Sequence, residues 1–258
     1  MSVPVLETRD LTIRFGGHVA VNAVSTRFRI GELTAIVGPN GAGKTTYFNL
    51  ISGQLAASSG QILLDGEDIT ALPPSGRAQK GIGRAFQITS LFPDLTVHEN
   101  VRLAVQARSR HAANLWTLWS DHREWIERAE RALEEVNLQN QRDTLAAALP
   151  HGDKRKLEVA ILMALEPRVF MFDEPTAGMS VDEVPVILDL IAKLKTRGDK
   201  TILLVEHKMD VVRTLADRII VLLNGTLAAD GDPAEVTASA AVQEAYLGLS
   251  PKRETAHG

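Results

Sequence analysis

Alternating hydrophobic and polar positions mark the beginning of this chain. Short alternating or apolar runs cover residues 5–8, 11–15, 24–30 and 61–64, and Gly, Asn and Ser separate them. Alternation with a period of two is typical of strands that bury only one face. The pattern therefore predicts a small antiparallel sheet, with its first strand inside residues 1–10.

Other runs are apolar at nearly every position. They cover residues 33–37, 169–172, 201–205 and 218–223, with helical stretches between them. Strands covered by helices on both faces have this character. The sequence thus predicts an α/β fold, with a core of mainly parallel sheet flanked by helices and an antiparallel β part near the start.

One amphipathic helix is predicted over residues 123–136, where Ile126, Ala129, Leu133 and Val136 recur every three or four positions. We expect this face to pack in a core and to belong to a helical subdomain over 97–158. The catalytic core then covers 1–96 and 159–249 of a single domain, and the polar residues 250–258 form a flexible tail.

Composition narrows the classes of function. The chain carries 28 Lys and Arg against 32 Asp and Glu, so no broad basic field favours nucleic acid. It has no cysteine, which excludes disulfides and cysteine metal sites and fits a reducing compartment. We find neither a secretory signal nor an apolar run of the ~18–20 residues that span a membrane. A cytoplasmic location is expected.

The most specific motif follows the apolar run at 33–37 and precedes a predicted helix at 45–52. Its members are Gly38, Pro39, Asn40, Gly41, Ala42, Gly43, Lys44, Thr45 and Thr46. The glycines let the backbone wrap a phosphate, Lys44 supplies charge to the β- and γ-phosphates, and Thr45 offers a hydroxyl to Mg²⁺. A glycine-rich connecting turn is the plainer alternative, but Lys44 and Thr45 in register favour binding of a nucleoside triphosphate.

Two adjacent carboxylates end the apolar run at 169–172. Asp173 is placed to hold Mg²⁺, directly or through water, and Glu174 to orient the attacking water or accept its proton. Taken alone, two adjacent acids after an apolar run are more often a solvated strand end than a catalytic pair. Together with the phosphate loop they indicate hydrolysis of a nucleoside triphosphate.

At these motifs the sequence resembles the ATP-binding-cassette (ABC) ATPase family over nearly the whole chain. The resemblance implies that Gln87 contacts Mg²⁺ and the water, that His207 touches the γ-phosphate and that Phe15 stacks on adenine. Taken alone, Phe15 would be an ordinary core residue, and His207 would be a surface histidine or one with its hydrogen bonds satisfied.

The family's signature segment, usually Leu-Ser-Gly-Gly-Gln, is altered in this chain. It comprises Leu149, Pro150, His151, Gly152 and Asp153. The resemblance implies that this segment faces the ATP of an opposing subunit. Pro150 removes the serine hydroxyl, and Asp153 adds an anion where a phosphate must approach. The D-loop, residues 177–180, also lacks its usual aspartate.

Such departures are similar to those of the subgroup for hydrophobic and polar amino acid uptake, as are the residues at 81–87 and 245–248. The resemblance implies an ATPase that powers import of branched-chain amino acids or a related small polar nutrient. Its partners would be transmembrane permeases, a second ATPase subunit in a heterodimer and, indirectly, a substrate-binding protein. The chain would lie peripherally on the inner face of the plasma membrane.

Several alternatives remain at this stage. The cargo could be urea, an amide or an aromatic acid, and lipopolysaccharide export is the nearest competing transport function. A ribosome-associated ABC ATPase usually has two cassettes and basic segments, and a chromosome ATPase needs a long coiled-coil arm that this chain lacks. The residues Trp116, Trp119 and Trp125 either pack inside the helical subdomain, which we favour, or face the permease.

Overall fold

The computed structural model describes residues 4–85, 91–108 and 123–239. They fall into two compact units. The first contains the described residues up to Ala71 and from Leu203 onward, and the second contains Leu72–Ile202.

Strands and helices alternate along most of the chain. The strands are β1 (Pro4–Phe15), β2 (His18–Arg29), β3 (Leu33–Val37), β4 (Ser59–Leu64), β5 (Glu67–Asp68), β6 (Ile82–Ala85), β7 (Val169–Asp173), β8 (Thr201–Val205), β9 (Arg218–Leu223) and β10 (Thr226–Gly231). The helices are α1 (Lys44–Ser52), α2 (Pro74–Gln79), α3 (Val97–Arg108), α4 (Arg123–Glu135), α5 (His151–Leu165), α6 (Val184–Thr196), α7 (Met209–Leu215) and α8 (Pro233–Ala238).

The first unit contains the predicted antiparallel sheet, with strand order β2-β1-β4-β5. The prediction of separate strands at 5–8 and 11–15 is wrong, because β1 runs through both. Its pairing with β2 shifts between Thr8 and Leu11, and Asp10 has φ 46°. The Asp10 N–H donates to the Ser25 hydroxyl (2.8 Å), and that hydroxyl donates to the Asp10 carboxylate (3.0 Å). This bulge lets the strand continue across the polar interruption.

The first unit also contains parallel strands that are buried on both faces. β3 pairs with β9 in parallel, with Ile36 opposite Ile220, and β10 pairs with β9 antiparallel. The apolar runs predicted at 33–37 and 218–223 are confirmed as these strands. A core cluster joins them to α7 and α8 through Ala35, Val37, Val212, Ile219, Val221 and Val236.

In the second unit β6 pairs with β7 in parallel, and helices α3, α4 and α5 contact one another. Helix α4 confirms the helix predicted at 123–136, and it buries Ala129 and Leu133. Trp125 is also buried, with 7% of its surface exposed, so the packing role expected of it is confirmed. Trp116 and Trp119 lie outside the described residues, and the limits of the helical subdomain stay a prediction.

None of the helices in the three described stretches combines the length and the apolar character needed to cross a membrane.

Candidate functional site

The phosphate loop lies between β3 and α1, and two of its glycines are required by their surroundings. A Cβ on Gly38 would lie 2.2 Å from the Leu222 carbonyl oxygen, and one on Gly43 would lie 2.5 Å from the Ala20 carbonyl oxygen. Gly43 also has φ 94° and forms the N-cap of α1. Any side chain here would force the backbone apart, so the loop keeps its close turn only with glycine.

Lys44 is folded back over this loop. Its Nζ donates to the carbonyl oxygens of Gly38 (2.7 Å) and Pro39 (2.9 Å), and the residue is 5% exposed. The ammonium therefore lies over the loop backbone, at the N-terminus of α1. Positive charge and helix dipole act together there, which suits a phosphate group. The residues present fit the triphosphate that the sequence predicts.

A buried network of hydroxyl groups connects α1 to β1 and β2. The Tyr47 hydroxyl lies 2.8 Å from the Thr8 hydroxyl and 2.6 Å from the Thr26 hydroxyl. Burial raises the pKa of Tyr47 to about 12, against the opposing effect of these hydrogen bonds. The phenol therefore stays neutral and ties the helix after the phosphate loop to β1 and β2.

Phe15 ends β1 beside the turn into β2 and is 50% exposed. Ala20, five residues further along this hairpin, approaches Gly43 of the phosphate loop. An exposed aromatic ring on a hairpin that contacts the loop suits stacking on a base. Its contact with adenine stays a prediction.

Asp173 and Glu174 differ in environment at the end of β7. Asp173 is 5% exposed, and its Oδ2 accepts a hydrogen bond of 2.6 Å from Arg84 on β6. Glu174 is only partly buried and has φ 50°, a left-handed conformation that strains a residue with a side chain. Strain of this kind is often kept at reacting positions, in line with the different roles predicted for the two acids.

Sequence reasoning missed Arg84 as a neighbour of the site. Burial lowers its pKa, and its hydrogen bond to Asp173 opposes that shift. The sequence did contain a sign of this contact. Arg84 is a charged residue within a short, otherwise apolar run before Gln87, and a charge in such a run predicts a buried partner.

The altered signature begins α5, with Pro150 as the N-cap and His151 as the first helical residue. Gln141 donates to the Asp153 carboxylate (2.9 Å), and the Lys156 ammonium donates to it as well (2.7 Å). Burial alone would raise the pKa of Asp153, but these hydrogen bonds outweigh it and the net shift is downward. The negative charge expected at this position is thus present, and Lys156 offsets it.

The D-loop packs against the signature. A Cβ on Gly152 would lie 1.7 Å from the Glu183 carboxylate, so glycine leaves room for that side chain. The Ser180 backbone N–H (3.0 Å) and hydroxyl (2.9 Å) both donate to Glu183. A Cβ on Gly178 would lie 3.5 Å from the His151 ring. Sequence reasoning missed Glu183, because nothing in the spacing connects it to Gly152.

His207 follows β8 and is exposed. The buried Glu206 carboxylate accepts hydrogen bonds from the backbone N–H groups of His207 (2.7 Å) and Lys208 (3.2 Å), which fixes the turn after the strand. Phe15, the phosphate loop and His207 belong to the first unit, and Asp173, Glu174 and the signature belong to the second. Gln87 lies outside the described residues.

The oxygen ligands predicted for Mg²⁺ are few. No group of three or more acidic or histidine side chains suited to a metal occurs among the residues that the structure describes. Mg²⁺ commonly uses one or two carboxylates and completes its shell with phosphate oxygens and water. The Asp173 carboxylate is a ligand of that kind and fits a cation that arrives with a nucleotide, and the part predicted for the Thr45 hydroxyl stays a prediction.

Known proteins resemble this chain over almost all of its length. It is 41% identical over 254 residues to the high-affinity branched-chain amino acid transport ATP-binding protein BraF of Pseudomonas aeruginosa, covering 96% of this chain and 99% of that protein. It is 38% identical to LivG of Escherichia coli, described in the same words, with 96% and 99% covered. It is 34% identical to the lipopolysaccharide export system ATP-binding protein LptB of Haemophilus influenzae, with 95% and 97% covered.

Solved structures agree with the fold. The ADP conformation of an ATP-binding cassette of an ABC transporter superposes with a TM-score of 0.83 and 29% identity, covering 96% of this chain and all of that one. A dimeric, post-hydrolysis ATP-binding cassette bound to ADP and phosphate gives a TM-score of 0.76 and 25% identity, with 88% and 98% covered. These matches confirm the predicted fold class.

Family models match in two places. The ABC transporter model matches residues 21–177, and the branched-chain amino acid ATP-binding cassette transporter model matches residues 226–249. The first match contains the phosphate loop, the signature and both carboxylates at the end of β7. The chain therefore belongs to the ABC transporter family, as an ATP-binding cassette.

Proposed function

We propose that this chain hydrolyses ATP to ADP and phosphate and thereby powers import of branched-chain amino acids, or of a related small polar nutrient, through membrane permeases. The observation that carries the proposal is the 41% identity with BraF across 96% of this chain. The family match at residues 226–249 lies outside the common ABC region and supports the same subgroup.

The roles of the catalytic residues follow from the family resemblance and, for those that the structure describes, from their surroundings. Lys44 exchanges its loop carbonyl partners for phosphate oxygens, and Thr45, Asp173 and Gln87 would hold Mg²⁺. When bound, Mg²⁺ neutralises charge on the phosphates. Glu174, more exposed than Asp173, orients the attacking water or accepts its proton.

The remaining roles concern recognition of the nucleotide. His207 contacts the γ-phosphate, and Phe15 stacks on the adenine ring. Both side chains are exposed in the first unit, where a ligand has access to them.

Partners complete this function. The resemblance to a dimeric cassette supports a second ATPase subunit. Transmembrane permeases and a substrate-binding protein on the far side of the membrane supply the path and the cargo. The chain would lie on the inner face of the plasma membrane, held there by the permeases.

Lipopolysaccharide export is the second candidate, because LptB is 34% identical over 95% of this chain. The lower identity and the match at residues 226–249 favour uptake.

The test is transport by the assembled complex in proteoliposomes. The chain is combined with its permeases, second ATPase and binding protein, and ATP-dependent uptake of labelled leucine, isoleucine and valine is measured beside urea, an amide and an aromatic acid. Uptake of a branched-chain amino acid that disappears with Lys44→Ala supports the proposal. Uptake of another cargo only, or ATP-driven extraction of lipopolysaccharide instead of uptake, would overturn the assignment to branched-chain amino acids.

A further inference from the structure

Arg84 and Asp173 form a buried ion pair between two neighbouring parallel strands. The Arg84 Nη2 lies 2.6 Å from the Asp173 Oδ2, and the two side chains are 7% and 3% exposed. Strand pairing places Arg84 opposite Met171, two residues before the carboxylate. The guanidinium therefore reaches along β7 to its end, where the candidate metal ligand lies.

The two charges depend on each other because both are removed from water. A buried carboxylate or guanidinium is costly alone, and breaking such a pair by removing one partner leaves an uncompensated charge. A divalent cation bound to Asp173 would supply positive charge to the same carboxylate. Two cations near one buried anion repel each other more strongly than they would in water.

We propose that Arg84 is a positioning residue that orients and compensates the Asp173 carboxylate, and that its charge competes with Mg²⁺ there. The inference rests on the proposed ATPase function, because it takes Asp173 as a metal ligand. Arg84 touches neither substrate nor reacting atoms in this scheme and acts only through Asp173. It holds the carboxylate in place between turnovers and weakens the metal affinity.

The experiment titrates Mg²⁺ at saturating ADP, where no hydrolysis occurs, and follows thermal unfolding and Mn²⁺ displacement by electron paramagnetic resonance. Arg84→Met keeps a side chain of similar length without the charge. Without metal we expect a lower Tm than in the wild type. With metal we expect a larger Mg²⁺-dependent rise in Tm and an apparent Kd for Mg²⁺ lower by about threefold to thirtyfold.

Two comparisons separate this role from a purely structural one. Arg84→Lys restores a charge and should return the apparent Kd to within about twofold of the wild type. Arg218→Met is the control variant. It breaks a different ion pair, in the first unit, in which the Arg218 Nη2 lies 2.5 Å from the Asp230 Oδ2. It should lower the Tm and leave the Mg²⁺-dependent rise unchanged. If Arg84→Met does not fold, Arg84→Gln is compared with Arg84→Lys in the same way.

The outcomes are distinct. An unchanged or weaker Mg²⁺ affinity in the uncharged variants overturns the proposal. If the ion pair had only a structural role, its loss would lower Tm equally with and without metal. If ADP and Mg²⁺ do not stabilise the wild type at all, the proposed function fails instead. A tighter affinity in Arg84→Met that Asp173→Asn abolishes supports the proposal.

Discussion

The Lys44 ammonium is hydrogen-bonded by the backbone of the phosphate loop itself. Its ammonium donates to two carbonyl oxygens at 2.7 and 2.9 Å, and it is 5% exposed. A phosphate offers stronger, charge-assisted partners at the same point, so the ammonium can exchange partners with little movement. The same contacts make the side chain part of the loop's own structure.

We therefore predict that Lys44→Ala abolishes tight ATP binding, because no other Lys or Arg lies in the loop to replace the charge. Nucleotide titration by calorimetry measures this, with Lys193→Ala as the control, since Lys193 is exposed on α6 and pairs locally with Asp189 (2.7 Å). Unchanged affinity in a folded Lys44→Ala protein would contradict the assignment of the loop.

Glu174 offers a second prediction at the residue scale. Glu174→Gln keeps the shape of the side chain and should retain ATP and Mg²⁺ binding, because Asp173 and Thr45 are intact. Hydrolysis should fall by at least roughly a hundredfold, the usual scale for a positioned base. Phosphate release is measured beside Glu127→Gln on the exposed face of α4. Turnover close to that of the wild type would move the role to His207 or Gln87.

At the scale of elements, the join between β3 and α1 depends on close backbone contact. Gly43 and Gly41 both have positive φ, at 94° and 80°, but only Gly43 faces backbone atoms, since a Cβ added there would lie 2.5 Å from the Ala20 oxygen. We predict that Gly41→Ala costs about 1–2 kcal/mol of stability from its conformation alone. Gly43→Ala should cost at least about 1 kcal/mol more. Urea unfolding midpoints measure the loss of stability in both variants. Equal losses would show that the β1–β2 hairpin moves away to accommodate the new methyl group at position 43.

The hydroxyl network under α1 gives a prediction for pH. The pKa of Tyr47 is about 12 in the fold against 10.0 for the ordinary phenol. Its contribution to stability is therefore present below about pH 10 and is lost as the pH rises to about 12, because the unfolded chain ionises first. Between about pH 9 and 12 the wild type should lose roughly 2–3 kcal/mol more than Tyr47→Phe. If urea unfolding shows the same loss of stability with pH in the wild type and in Tyr47→Phe, the pKa of the buried Tyr47 hydroxyl is not raised by the fold.

Patterns local in sequence were predicted well at this scale. The apolar runs at 33–37, 201–205 and 218–223 coincide with β3, β8 and β9, because burial on both faces leaves few polar positions. The division of β1 was wrong, because the Asp10 N–H donates to the hydroxyl of Ser25, 15 residues away, and this hydrogen bond carries the strand past Asp10. Arg84 and Glu183 were missed for the same reason. Their partners, Asp173 and Gly152, are brought close only by folding.

At the scale of the whole molecule, one chain carries a phosphate loop and an altered signature. The family resemblance implies that each ATP lies between the phosphate loop of one subunit and the signature of the other. The charge expected to repel phosphate is weakened in the structure, since Lys156 pairs with the Asp153 carboxylate at 2.7 Å and offsets it. The remaining defect is the serine hydroxyl that Pro150 lacks. A contact from such a hydroxyl to charged phosphate is worth on the order of 1.5–3 kcal/mol.

We therefore predict a heterodimer with two unequal ATP sites. A partner with an intact signature completes the site built on Lys44, Asp173 and Glu174, while Pro150 of this chain weakens the partner's site. In the assembled transporter, Glu174→Gln should reduce ATPase and transport more than the matching change in the partner. Pro150→Ser should raise turnover at the weak site and Pro150→Ala should not, because serine supplies the hydroxyl and also suits the N-cap of α5. Equal losses from the two glutamate changes, or full transport by a homodimer with the permeases, would show that the two sites are equivalent.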